Sequence, residues 1–233
     1  MIDRYSRPQM KRVWSDENKY DKWLQVELAV CEAWAEEGVI PQEDMARLRQ
    51  ARYDLERIKA IFQRTRHDMT AFLRSITENL GEEGRWLHLG LTSSDVMDTA
   101  LALQTLEAVD VLLEDIDRLR EALREKALKY KETVMIGRTH GVHAEPITFG
   151  LKLASWWDEM GRQRERLLHA RKHMAVGKIS GAVGTHATFP PKLEDRVCAR
   201  LGLSVEPVST QVVHRDRHAY LLSTLALIAA SLE

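Results

Sequence analysis

The sequence is poor in cysteine and proline, and its charges nearly cancel. Its 233 residues include two cysteines, Cys31 and Cys198. Both lie inside helical patterns and have no metal-ligand spacing, so they read as buried free thiols in a reducing compartment. There are only six prolines, and β-branched residues do not cluster in alternating runs. A mostly helical chain follows, given how much Arg, Glu, Leu and Ala it contains. The formal net charge of -1 argues against nonspecific nucleic-acid binding, which needs a basic surface, but leaves room for a local basic pocket. No apolar run reaches eighteen residues, so no membrane span is expected. No basic-then-apolar leader opens the chain, and a cytoplasmic protein is the expectation.

The helical periods are readable in order. Residues 1–10 form an irregular arm that crowds together Arg4, Tyr5 and Arg7. The arm is either a solvated terminus or a phosphate-binding strand using guanidinium forks. Ser15 is a candidate cap for a helix carrying Trp23, Val26, Ala29, Val30 and Trp34, which Gly38 ends. Pro41 opens a second helix, and Asp54 caps a third that runs towards Thr65–Phe72. There Arg66, His67 and Asp68 are adjacent and fan around the helix. They form either a solvated surface or one wall of a cleft. Residues 96–134 carry an apolar stripe at helical spacing, wide enough for more than one partner. About thirty-five helical residues span roughly 50 Å, which implies a bundle. Pro146 is placed at the start of another long helix, and Pro190 or Pro191 at the start of a short one. The last helix, 221–232, is apolar on every side, as buried helices are. A truncated chain, or a larger protein cut at Leu232-Glu233, is expected from this.

Four polar stretches stand apart from this scaffold. Residues 137–150 hold three glycines, two histidines, an arginine, a glutamate and a proline, far more chemistry than a helix connection needs. Thr92, Ser93 and Ser94 precede a long helix after His88 and Gly90. One of Ser93 and Ser94 caps that helix, and the remaining hydroxyls can bind a carboxylate beside free N–H groups. Residues 177–185 are rich in glycine but lack the order of a nucleotide-binding P-loop; their backbone approaches either another helix or a ligand. Gln211 precedes the final helix and can pair with a carboxylate. Histidine is the usual proton carrier near neutral pH. No His-Glu-x-x-His motif occurs, and no metal or cofactor is expected. The mixture of histidines, hydroxyls, arginines and an amide suits a small polyanion bearing carboxylates.

These stretches carry a resemblance. GRTHGVHAEPITFG at 137–150, MIDRYSRP at 1–8, TRHDMTAF at 65–72, LGLTSSDVMDTA at 89–100, VGKISGAVGT at 176–185 and STQVVHRDRHA at 209–219 together resemble the adenylosuccinate lyases of the fumarase/aspartase superfamily, in the same order and over essentially the whole chain. The resemblance implies an all-α fold: a small N-terminal helical domain over 1–90, then the first part of a long-helix bundle over 91–233. It implies a homotetramer whose active sites are each built from three subunits. The implied reaction eliminates fumarate from adenylosuccinate to give AMP, and from SAICAR to give AICAR, in purine biosynthesis without a cofactor.

The same resemblance implies site roles. His140 is similar to the general acid that protonates the leaving nitrogen, and His67 to its partner near the substrate phosphate. Arg4 and Tyr5 resemble nucleotide-binding residues, and Arg66 and Asp68 neighbours of the nucleotide. His88, Thr92 and Ser93 resemble ligands of the succinyl group, and Gln211 a substrate-binding glutamine. His143 and Glu145 resemble loop supports, and Lys178 is a lesser candidate. The family's later Ser-Ser-x-Met-Pro-x-Lys-x-Asn-Pro loop, which supplies the basic serine, does not occur here. Two other readings are a sister lyase acting on another succinyl-containing substrate and a non-catalytic helical assembly.

Overall fold

The computed structural model describes residues 2–233. Helix makes up 66% of the chain and strand 7%, so the expected helical class holds, with two small sheet elements added to it. The chain divides into two compact units, Met1–Glu107 with Ala175–His214, and Ala108–Met174 with Arg215–Glu233.

The first unit opens with a 3-10 turn at Asp3–Tyr5 and helix α1 (Pro8–Val13), so the arm becomes regular where Pro8 can take the first helical position. Helix α2 (Asp16–Glu36) starts at the expected cap, with the Ser15 hydroxyl accepting the Asn18 N–H at 3.1 Å. Helix α3 (Gln42–Leu48) follows Pro41. Helix α4 (Leu55–Thr65) is capped by Asp54, whose carboxylate accepts the Arg57 N–H at 2.7 Å.

The expected continuous helix through 65–72 is broken. Arg66 turns left-handed (φ 53°) and ends α4. His67 then caps helix α5 (Asp68–Thr77), its Nδ1 accepting the Thr70 N–H at 3.2 Å. Arg66, His67 and Asp68 thus sit at a junction between helices and do not fan around one. A stack of rings forms the core here: Phe72 is fully buried, with its ring 5.6 Å from that of Tyr20 and 5.4 Å from that of Trp23. Helix α6 (Ser93–Lys129) begins two to three residues before its apolar stripe. The residue preceding it is Thr92, and not Ser93 or Ser94 as expected. The Asp95 carboxylate reaches back to the Thr92 N–H at 2.9 Å, as in a capping box. The rest of this unit is strand β1 at Val176–Gly177 paired in parallel with strand β2 at Ser204–Val205, and helix α7 (Pro191–Arg200) between them. Both cysteines are buried, and burial pushes the Cys198 thiol up to about 12 and raises that of Cys31 as well, leaving both unreactive.

The second unit holds the end of α6, an antiparallel hairpin of strands β3 (Val134–Thr139) and β4 (Val142–Thr148), helix α8 (Phe149–Met174) and helix α9 (Asp216–Leu232). Pro146 lies in strand β4 opposite Ile136 and does not start the helix. Thr148 does that work, its hydroxyl accepting the Leu151 N–H at 3.1 Å. Gly150 lets α8 leave the hairpin close against α6, since a Cβ there would stand 2.5 Å from the Ala127 carbonyl oxygen. Gln163 of α8 donates to the Leu227 carbonyl and to Ser231 of α9. The last helix, apolar on every side in sequence, leaves part of that apolar surface exposed. Leu221 is buried, but Leu222, Leu227 and Leu232 are exposed, because α9 packs through one face only. No described helix is long and apolar enough to cross a membrane.

Phe72→Ala is expected to remove about 3–5 kcal/mol from the first unit, because the ring stack leaves a cavity that the flanking rings cannot fill. Urea denaturation followed by tryptophan fluorescence measures the shift.

Candidate active site

In the first unit, the sequence brings polar stretches together by burying carboxylates under them. Glu27 is the clearest case. It lies on the apolar stripe of α2 and is fully buried. One carboxylate oxygen accepts the His88 backbone N–H at 2.8 Å, and the other lies 2.6 Å from His88 Nδ1. Two contacts fix both the backbone and the ring of His88, which is itself left-handed (φ 62°). A histidine held at Nδ1 by a carboxylate keeps Nε2 available for other chemistry. Sequence reasoning missed Glu27. The available signal was a glutamate in the middle of an apolar helical stripe, where an unpaired charge is too costly to persist.

Three further carboxylates do the same for neighbouring backbone. Asp95 accepts the Thr92 N–H on one oxygen, and Lys178 Nζ at 2.6 Å and the Gly181 N–H at 3.2 Å on the other. Glu194 accepts the Ile179 N–H at 2.6 Å, and Asp98 accepts the Val213 N–H at 2.8 Å. Burial outweighs these favourable contacts at Glu194 and raises its carboxyl above the ordinary range. The loops also touch each other. Thr188 donates its hydroxyl to the Gly90 carbonyl at 2.7 Å, and the Ser180 and Ser209 hydroxyls lie 2.7 Å apart. At Gly184 a Cβ would fall 2.2 Å from the Ser209 carbonyl oxygen, and at Gly177 one would fall 2.9 Å from Cys198 Sγ on α7, so these two glycines make room for other parts of the protein.

His88, Thr92 and Ser93 are therefore half-buried on one braced stretch, while Gln211 is exposed on the segment that Asp98 and Ser180 anchor. Arg66 and His67 are exposed at their junction, and Asp68 is half-buried and accepts the Met69 N–H at 2.8 Å. Arg4 and Tyr5 are exposed, with the guanidinium 4.7 Å from the Tyr5 ring centre. Lys178 is fully buried and ion-paired with Asp95 at 2.6 Å.

His140 belongs to the second unit, where it sits at the tip of the hairpin. His140 (φ 51°) and Gly141 (φ 75°) are both left-handed. Thr139 and Val142 pair around them, so the two form a two-residue turn whose twist suits a hairpin. This stretch, a helix connection by its sequence, is a paired hairpin. The missed signal was His-Gly flanked by β-branched residues on both sides. Opposite Gly137 the hairpin carries two residues, Ala144 and Glu145, between the Ile136–Pro146 and Arg138–His143 pairs. A Cβ at Gly137 would meet the Glu145 carbonyl oxygen at 2.6 Å, so this bulge requires glycine. His140 and His143 are exposed. Arg66, His88, His140 and His186 are the non-glycine residues with positive φ among those described. Three of them are residues singled out from the sequence, and strained backbone of this kind concentrates at functional positions. Among the described residues, no group of three or more His, Cys, Asp or Glu is placed to hold a metal ion.

Residues 3–233 match the family model described as Lyase, and the chain belongs to that family. Among curated relatives, it is 56% identical over its whole length to the adenylosuccinate lyase of Bacillus subtilis (strain 168) and 55% identical to that of Aquifex aeolicus (strain VF5). In each case it covers 54% of the relative, so the chain spans about half the length of these proteins. Among solved structures, a fumarate lyase from Mesorhizobium sp. BNC1 superposes with a TM-score of 0.89 at 29% identity, over 98% of this chain and 56% of that one. A 3-carboxy-cis,cis-muconate lactonizing enzyme from Pseudomonas putida gives 0.89 at 31% identity, over 100% and 56%.

Gly141→Val is expected to destabilise the hairpin by about 1–2 kcal/mol, because a β-branched residue resists the left-handed turn. Faster amide exchange in 134–148, with exchange in the first unit unchanged, would show it.

Proposed function

We propose that this chain forms about half of an adenylosuccinate lyase, which eliminates fumarate from adenylosuccinate to give AMP and from SAICAR to give AICAR. The observation that carries the reading is an overall identity of 53–56% to adenylosuccinate lyases in matches that cover the whole chain.

The chemistry asks for three things. A base takes a proton from the carbon next to a carboxylate, and negative charge develops on that carboxylate. Thr92 and Ser93, beside the start of α6, offer hydroxyl and N–H donors to such a charge. The carbon–nitrogen bond then breaks, its electron pair goes to nitrogen, and His140 delivers a proton there. His67 assists the acid and faces the phosphate. Arg4, Tyr5, Arg66 and Asp68 hold the nucleotide, and His88 and Gln211 the succinyl carboxylates. Glu27 makes His88 suitable by fixing its ring. We assign 1–90 to an N-terminal domain and 91–233 to the first part of the central bundle of a cytoplasmic homotetramer, in which three subunits build each site. The exposed apolar side of α9 supports self-association.

In a complete enzyme carrying this segment, His140→Asn is expected to lower kcat by about 10²–10⁴-fold, the usual worth of a general acid. The 233-residue chain by itself is expected to release no fumarate above background, because no Ser-Ser-x-Met-Pro segment is present to supply the base. Absorbance at the fumarate band follows both, and normal turnover by the short chain would sink the second expectation.

A further inference from the structure

We infer that the buried Lys178–Asp95 pair is a positioning element for the carboxylate-binding part of the site; this rests on the lyase reading above. Both side chains are fully enclosed, with Nζ 2.6 Å from Asp95 Oδ1. Neither therefore meets a substrate. Isolated, either charge would be far too costly to bury, so the two stand or fall together.

What makes the pair more than a structural ion pair is where its other bonds go. Asp95 Oδ2 holds the Thr92 N–H at 2.9 Å, at the entrance to α6 beside Ser93. Asp95 Oδ1 also accepts the Gly181 N–H, and Lys178 Nζ donates to the Gly181 carbonyl at 2.6 Å. Gly181 is thus gripped at both its N–H and its carbonyl, in a left-handed conformation (φ 83°). Thr99 completes the frame, its hydroxyl accepting the Lys178 N–H at 3.0 Å and donating to the Lys178 carbonyl at 3.1 Å. One residue from Gly181, Ser180 meets Ser209, two residues before Gln211. The pair therefore ties two separate stretches, 92–93 and 178–181, to one turn of α6, and the second of these carries the Ser180 contact to Ser209. The first stretch carries Thr92 and Ser93, and the Ser209 contact leads to Gln211; these are the groups assigned to carboxylates. A dianionic succinyl group needs its donors at a fixed separation before it binds, and this pair sets that separation without touching the ligand.

The test uses the complete enzyme for kinetics and this chain for amide exchange. Lys178→Met alone strands a buried carboxylate and destabilises the unit, so Asp95→Asn/Lys178→Met is the deciding variant: neither replaced side chain carries a charge, and the amide at position 95 keeps one acceptor. Its expected behaviour is a rise of about tenfold in KM for adenylosuccinate with a smaller change in kcat, the loss of one charge-assisted contact, together with faster exchange at 179–184 and an intact core. Unchanged KM overturns the inference, whether or not exchange rises, since a merely structural pair would loosen the loop without moving KM. If the enzyme with Lys178 in place turns over no adenylosuccinate, the lyase reading fails instead. Exchange then decides the tether: unchanged protection at 179–184 overturns it.

Discussion

Buried carboxylates that accept loop N–H groups are the constraint on which the first unit depends. An irregular segment inside a protein has no ladder to satisfy its backbone, and every unpaired N–H is a penalty. Here helices supply the missing acceptors. Glu27 on α2 serves His88, Asp95 and Asp98 on α6 serve Thr92, Gly181 and Val213, and Glu194 on α7 serves Ile179. Each carboxylate is itself buried, so removing its loop would leave a charge without a partner. Helix and loop are thereby made to require each other. The polar stretches stay in place beside an aromatic and aliphatic core because the bonds that hold them are short, charge-assisted and shielded from water.

A second feature runs through both units. The left-handed backbone at Arg66, His88 and His140 places these residues at corners, where a side chain leaves its element at an angle that a regular helix or strand does not offer. Arg66 closes α4 so that His67 can cap α5. His88 turns the chain over Glu27. His140 shares a two-residue turn with Gly141 and is carried on a paired ribbon whose bulge at Gly137 adds local twist. A side chain presented this way has its direction set by backbone geometry. The cost of each left-handed residue is small beside the packing of the elements it joins.

Much of the fold was legible from residue types acting locally. Ser15 and Asp54 announced their helices because a short polar side chain can satisfy an orphan N–H three residues on. The long stripe after residue 96 announced α6 because burial repeats at the helical period. The polar stretches at 65–68, 88–94, 137–150, 177–185 and 209–218 were visible because they interrupt those periods. The errors share a cause. Arg66 and Pro146 were given helical roles that suit their local neighbours, but pairing of β3 with β4 and the turn between α4 and α5 are decided by contacts beyond the next few residues. The hairpin in particular depends on a partner strand, which single-strand patterning signals only weakly.

Residue identity by itself determined the helical class, most helix starts, the buried thiols and the polar stretches that interrupt the helices, because each of these follows from propensity, periodicity or spacing along the chain. Tertiary structure alone decided which carboxylate stands under which loop. Glu27 and His88 are joined across sixty-one positions and Asp95 and Lys178 across eighty-three. Nothing in the local sequence of Lys178 shows whether it faces solvent, a substrate or a buried partner. That choice is made by packing, because a lysine can be enclosed only where folding brings it an opposite charge.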